Sequence, residues 1–147
     1  MKALLITVAV AMAALTGLSQ STAVAAPPAA VVIQAHPTQF CCPELGTWEV
    51  SGAITDAGPF VRTYVASSPP DRPFFALGPF REVFVFSGAN GTLTVKEEAR
   101  LTSTGVTGVW QIESGTGSYE DASGHGTVAF DGPTLTLVLT GVISKAG

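Results

Sequence analysis

The chain contains 147 residues, enough for one domain with a single core, and carries a net charge of −4 from 11 acidic and 7 basic residues. Its lysines and arginines are scattered, whereas binding to nucleic acid or to an anionic membrane requires clustered positive charge. We therefore expect neither nucleic acid nor an anionic membrane surface as a partner.

The first 25 residues are predicted to be a secretory signal peptide. Lys2 precedes an uncharged, mostly apolar run from Ala3 to Leu18, which is shorter than the roughly 20 residues of a membrane span. Small residues at Ala23 and Ala25 suit cleavage after Ala25. We expect a secreted, extracellular protein of 122 residues without a membrane span, and a net charge near −5 because Lys2 is lost on cleavage.

Two adjacent cysteines, Cys41 and Cys42, are the only ones in the chain. Their Cα atoms lie about 3.8 Å apart across a trans peptide, below the roughly 4.4–6.8 Å of usual disulfides, although an exported protein meets oxidising conditions. Three states stay open: a strained vicinal disulfide, a dimer bridged through Cys41 or Cys42, and two thiols. The cysteines show no zinc spacing with His36 or His125, so we expect no metal site.

Segment 26–43 is rich in Ala and Pro and is predicted to be an N-terminal arm or a weak first strand near Val31, followed by a barrel domain at 44–147. Beyond the arm, apolar residues alternate with polar ones at period two, which is typical of half-buried strands. The predicted strands are Thr47–Thr55, Phe60–Ser67, Phe80–Ser87, Thr92–Thr102, Val106–Glu113, Thr127–Phe130 and Thr134–Ile143.

Turn signals separate these strands. Asn90-Gly91 favours a tight hairpin, and Ser68–Gly78 contains three prolines and is predicted to be a long loop. Short strands that are polar on one face indicate an all-β fold. We predict an antiparallel up-and-down barrel of about eight strands, which closes around its own side chains or one small ligand, with a β-sandwich as the alternative.

Residues 110–128 contain Gly-Thr-Gly at 115–117, an aromatic residue, Tyr119, two positions on, and a later glycine, Gly124, at the start of a strand. This pattern resembles the small secreted bacterial relatives of the allene oxide cyclase and dirigent barrels, and segments 88–95 and 135–141 fit the same layout. The resemblance implies a calycin-like barrel with an apolar pocket in the members that handle ligands. It transfers no catalytic residue, so the activity of the plant cyclases is not inferred.

Two carboxylates lie among apolar residues in the strand alternation, Glu82 and Glu97. A buried carboxylate without a partner is unfavourable and has a raised pKa, so a cation is expected beside them. Arg62 is the available one. We predict an interior cluster of Arg62, Glu82 and Glu97, with Tyr64 near it, at one end of an apolar cavity; the alternative is a bulge at Glu97-Glu98 or a register change that turns these side chains outward.

Trp48, Phe84 and Trp110 are the aromatic residues expected along this cavity, with a purely structural place in the core as the alternative. The chain has no nucleophile elbow and no phosphate-binding glycine loop, and we expect no cofactor. The favoured function is binding of a small apolar molecule inside the barrel. The alternatives are an extracellular interaction or structural protein with a filled core, and an isomerase or cyclase of the allene oxide cyclase type.

Overall fold

The computed structural model describes residues 27–40, 43–67 and 77–145. The predicted signal peptide, the pair Cys41 and Cys42, and most of the predicted loop at 68–78 lie outside the described residues, so these expectations stay predictions. The described part of the chain contains no helix long and apolar enough to cross a membrane.

Eight antiparallel strands form a closed barrel in which each strand pairs with the next one in the sequence and the last pairs with the first. The up-and-down barrel prediction is confirmed, and the β-sandwich alternative is wrong because the ladder between the first and last strands closes the sheet. The strands are β1 (Ala29–Gln39), β2 (Glu44–Gly52), β3 (Asp56–Ser67), β4 (Gly78–Gly88), β5 (Gly91–Thr102), β6 (Gly105–Gly115), β7 (Ser123–Asp131) and β8 (Thr136–Ser144).

The N-terminal segment is a full barrel strand, which moves the start of the barrel domain from residue 44 to β1. Val31, Ile33 and Ala35 point inward and are buried, and β1 pairs with both β2 and β8. The Ala and Pro content of 26–43 obscured this short period-two pattern. Pro37 lies at the irregular end of the β1–β2 ladder, where the register shifts and a missing N–H is tolerated.

The strands divide the barrel into two ends. The end that we call the Tyr119 end carries the connections at 53–55, 89–90 and 116–122. The opposite end, called the cavity end, carries the described connections at 103–104 and 132–135. The predicted tight hairpin at the Tyr119 end is confirmed, with Ala89 and Asn90 as its two turn residues and Gly91 at φ +135°. This φ favours glycine, because side chains of L-residues rarely adopt it.

Trp110 lies across the wall formed by β7 and β8, where the neighbouring positions are glycines. Gly126 is its direct partner on β7 and Gly141 is the next position on β8. A Cβ at Gly126 would lie 2.6 Å from Trp110 Nε1, and one at Gly141 would lie 2.8 Å from the same indole. The indole N–H donates to the Thr140 carbonyl at 3.3 Å. The two glycines therefore make room for the largest side chain of the core.

Trp48 uses the same arrangement on the opposite wall. Its partner on β3 is Gly58, and its indole N–H donates to the Ser87 carbonyl on β4 at 3.0 Å. The ring packs against Phe86, with 5.0 Å between the centroids. Both tryptophans thus reach over a glycine to a backbone carbonyl two strands away, and each satisfies its N–H inside the core.

Tyr119 closes its end of the barrel. It belongs to a single 3₁₀ turn, Gly117–Tyr119, is fully buried, and donates its hydroxyl to Asp56 at 2.8 Å. Asp56 also accepts the backbone N–H groups of Ala57, Ala89 and Asn90 at 2.9–3.1 Å. One carboxylate therefore joins three connections at this end.

Burial alone would raise the pKa of Asp56, but the hydrogen bonds from Tyr119 and from three backbone N–H groups outweigh it and hold the pKa below its usual range. Burial raises the pKa of the Tyr119 phenol to about 12, and its hydrogen bond to the Asp56 carboxylate adds to the rise. At neutral pH the pair is therefore an ionised aspartate that accepts a hydrogen bond from a neutral phenol.

We predict that Tyr119→Phe lowers the free energy of unfolding at pH 7 by about 1.5–3 kcal/mol, because it removes one hydrogen bond to a buried charge. The measurement is a double-mutant cycle with Asp56→Asn, and Asp121→Asn at the exposed neighbouring carboxylate is the control. The pKa of Asp56 is lower in the folded protein than in the unfolded chain. The stability that Asp56 contributes is therefore present above the pKa of the unfolded chain and is lost as the pH falls through the pKa of the folded protein. A coupling energy near zero at pH 7 would contradict the role assigned to this pair.

Candidate functional site

Four charged side chains form a row across four adjacent strands inside the barrel. Glu44 of β2 is the direct partner of Arg62 on β3, and Glu82 of β4 is the direct partner of Glu97 on β5. Arg62 and Glu82 are joined diagonally across the β3–β4 ladder. Strand alternation turns all four inward, and the three glutamates are 0–3% exposed. The predicted inward orientation of Glu82 and Glu97 is what the structure shows.

Arg62 is the centre of this row. Its Nη2 atom forms an ion pair and a hydrogen bond with Glu44, and its Nη1 atom lies 3.2 Å from Glu82 Oε2. The second contact lacks hydrogen-bond geometry, so it is an ion pair only. The guanidinium carbon also lies 5.5 Å from the centre of the Phe84 ring, which supports the cation from below.

Glu97 stands at the end of the row and is the most isolated of the four. It is completely buried, and neither carboxyl oxygen has a hydrogen-bond partner among the described residues. Its strand neighbours, Val95 and Ala99, are buried and apolar, and its partner on β6 is Trp110. A buried carboxyl group without a partner is unusual in a folded protein and is commonly associated with a ligand or a catalytic role.

A cavity of about 130 Å³ lies against the row at the cavity end of the barrel. Arg62, Glu82 and Glu97 supply its polar wall. The remaining described wall is apolar and includes three phenylalanines. The apolar lining residues are Phe40, Phe80, Leu101, Val106, Phe130 and Leu137. An apolar pocket with a few converging polar groups is the usual form of a small-molecule site.

The remaining predicted site residues lie outside the described lining of this cavity. Trp48, Phe84 and Trp110 belong to the buried hydrophobic core. Phe84 contributes indirectly through its contact with Arg62. Tyr64 is half-buried on the same face of β3 as Arg62 and is the register partner of Glu82. Binding roles for these four residues stay predictions.

Glu44 was missed by the sequence analysis. The predicted strand began at Thr47, so Glu44 lay within the predicted barrel domain but outside the strand. The alternation that places Trp48 inward also places Gly46 and Glu44 inward when it is continued toward the N-terminus. That extension would have found the carboxylate that pairs with Arg62.

Burial raises the pKa of Glu97 to about 8, and the negative charge of Glu82 adds to the rise while Arg62 opposes it. Burial likewise raises the pKa of Glu82 to about 7, again opposed by Arg62 and increased by Glu44. The pKa of Glu44 is also raised by burial, despite its contact with Arg62. Three carboxyl groups share one guanidinium, so protons replace the missing positive charges near neutral pH.

These groups can hold a proton, donate a hydrogen bond or accept one within an apolar space. No group of three or more His, Cys, Asp or Glu side chains placed to hold a metal ion occurs in the described ranges. Arg62 occupies the position between Glu44 and Glu82 where a cation would otherwise bridge these two carboxylates.

No family model, curated protein or solved structure matches the chain. The resemblance of residues 110–128 to the allene oxide cyclase and dirigent barrels therefore stays a prediction.

We predict that Glu97→Gln flattens the dependence of stability on pH. The folded glutamate keeps its proton up to about pH 8, whereas an unperturbed one loses it near 4.5. The folded state therefore binds more protons between these values, and the stability that Glu97 contributes is full below 4.5 and is lost as the pH rises toward 8. At pH 8.5 the variant should be more stable than the wild type, by on the order of 2–4 kcal/mol.

The measurement is thermal or urea unfolding between pH 5 and 9. Glu98→Gln is the matched control, because that side chain lies on the outer face of the same strand, is 55% exposed and pairs with Lys96. Equal slopes against pH for the wild type and Glu97→Gln would show that Glu97 ionises normally in the folded barrel.

Proposed function

We propose that this protein is a secreted barrel that binds a small, largely apolar molecule in the cavity beside Arg62, Glu82 and Glu97. The observation that carries the proposal is a largely apolar cavity whose polar wall contains a buried carboxyl group, and neither oxygen of that group has a hydrogen-bond partner among the described residues. Natural interiors rarely leave such groups unsatisfied, so a ligand that contacts Glu97 is favoured over a purely structural role.

The volume of the cavity limits the size of the ligand. At about 130 Å³ it is close to the ~150 Å³ apolar cavity that is known to accept benzene. A molecule with about six to eight non-hydrogen atoms in its buried part fits this space. Larger ligands would leave part of their structure outside the barrel.

The core is filled at the Tyr119 end of the barrel. Only this end fits the alternative function, that of a structural or interaction protein. There, Trp48, Phe60, Phe84 and Phe86 pack ring against ring, with centroid distances of 5.0–5.9 Å. Such packing leaves no space for a ligand. The cavity end differs, because its apolar side chains line an empty volume. The contrast between the two ends supports a binding site at the cavity end, held in place by a rigid, filled Tyr119 end.

We expect ethylbenzene to bind the purified protein with a dissociation constant of about 0.1–1 mM, within the limits known for ligands of eight heavy atoms. Val106→Trp should weaken this affinity at least tenfold, because Val106 lines the cavity and the larger ring fills it. The measurement is a titration followed by NMR chemical shifts of the cavity residues.

Val109→Trp is the control, since Val109 lies on the same strand but is 56% exposed on the outside. The binding proposal would be wrong if ethylbenzene bound both variants as tightly as the wild type, or if neither ethylbenzene nor a more polar molecule of the same size bound the wild type.

A further inference from the structure

We propose that the cavity selects a compact organic cation, a primary ammonium group on a small apolar body, and that the ammonium group lies against the carboxyl groups of Glu97 and Glu82. This inference rests on the proposed function, because it requires a ligand in the same cavity. It adds the charge of that ligand.

The charged groups inside the barrel do not balance. Glu44, Glu82 and Glu97 face one guanidinium, that of Arg62, so the ionised row would carry two more negative than positive charges. Arg62 is already engaged by Glu44 and Glu82. The row thus lacks positive charge, and an anionic or carboxylate-bearing ligand would increase the imbalance.

Carboxyl oxygens without hydrogen-bond partners lie on residues that form the wall of the cavity. Both oxygens of Glu97 lack hydrogen-bond partners in the described part of the chain, as does Glu82 Oε2, and both residues line the cavity. Glu82 and Glu97 are direct partners across the β4–β5 ladder. An ammonium group offers three donors and one positive charge, which matches adjacent carboxyl groups that lack donors.

The apolar wall of the cavity also suits an organic cation. Phe40, Phe80 and Phe130 line the same cavity. Aromatic faces attract an ammonium group and also pack against an apolar body. The small volume excludes a bulky cation. A short aliphatic or aromatic amine therefore satisfies the polar wall and the apolar wall together.

Binding of such a cation releases a proton. At neutral pH the Glu97 carboxyl group is protonated, since its pKa is about 8. The ammonium ligand keeps its own protons and forms an ion pair with the carboxylate, and the proton leaving Glu97 passes to the solvent. The charged groups that face Glu97 are Glu82, Arg62 and Glu44. Its β6 partner, Trp110, carries no charge.

The experiment compares benzylammonium with ethylbenzene, which has the same number of heavy atoms and no charge. Titrations are run by calorimetry and NMR on the wild type, Glu97→Gln and the outer-face control Glu98→Gln. For the wild type we expect the affinity for benzylammonium to rise up to about tenfold per pH unit from pH 6 toward 8, as expected for one released proton. The affinity for ethylbenzene should not rise.

Glu97→Gln should lower the affinity for benzylammonium relative to that for ethylbenzene at least tenfold at pH 8, and abolish the dependence of the binding heat on the buffer. Glu98→Gln should behave as the wild type. Binding of benzylammonium alone, lost in Glu97→Gln, would also support the inference.

Two outcomes would overturn the inference and are distinguishable. If ethylbenzene binds but benzylammonium does not, or binds equally to Glu97→Gln, the proposed function stands and the cation inference fails. If neither probe binds while the unfolding curves show a folded protein, the proposed function fails as well.

Discussion

One guanidinium group holds the polar interior of this barrel together. Arg62 contacts Glu44 and Glu82 on the strands to either side and lies over the ring of Phe84. Removing one member of a buried charged group leaves the others without compensation and is strongly destabilising, by about 3–5 kcal/mol where it has been measured in other proteins. The barrel therefore tolerates inward-facing carboxyl groups on β2 and β4, because Arg62 lies between them on β3.

The rest of the interior is shaped by how large rings are accommodated. A barrel of eight strands is just wide enough to be filled by its own side chains. Here each indole lies across a glycine on the neighbouring strand, Trp48 over Gly58 and Trp110 over Gly126, instead of projecting into the centre. Phe60, Phe84 and Phe86 pack ring against ring toward the Tyr119 end. The cavity lies at the other end, where the lining side chains are Leu, Val and Phe on separate strands.

Much of this arrangement could be predicted from the sequence, and the failures have physical causes. The alternation in 92–102 placed Glu97 correctly inside, because an unbroken period of two fixes the face of every residue in a strand. The register irregularity of the β5–β6 ladder lies between Thr94 and Val95, and it does not turn Glu97 outward. β1 was predicted only as the alternative to an arm, because the Ala and Pro content of 26–43 obscured its short alternation, and Glu44 was missed because the strand of Trp48 was predicted to begin at Thr47.

The partners of Asp56 could not be predicted, since they depend on contacts between residues far apart in the chain. Tyr119 lies 63 positions from Asp56, and the backbone donors Ala89 and Asn90 lie 33 and 34 positions away. Nothing in the local pattern around 115–128 indicates such a partner. Gly115, in that stretch, is a site of close approach, since a Cβ there would lie 2.1 Å from the Tyr119 carbonyl oxygen.

Asp56 and Glu97 show how one barrel treats two buried carboxyl groups in opposite ways. Asp56 accepts four hydrogen bonds, and these bonds keep its pKa below the usual range although the group is buried. Glu97 accepts none from the described residues, and its pKa is raised to about 8. Both side chains are buried, so burial alone does not explain why their pKa values shift in opposite directions.

The difference lies in the surroundings that the fold supplies. At the Tyr119 end, connecting segments bring three backbone N–H groups and a phenol to one carboxylate, as expected of a structural group. At the cavity end, Glu97 lines a largely apolar cavity, and no described residue donates a hydrogen bond to it. A carboxyl group that the described residues leave without a donor, beside a space large enough for a small molecule, is the feature of this barrel that stability does not explain and that binding of a donor from outside would.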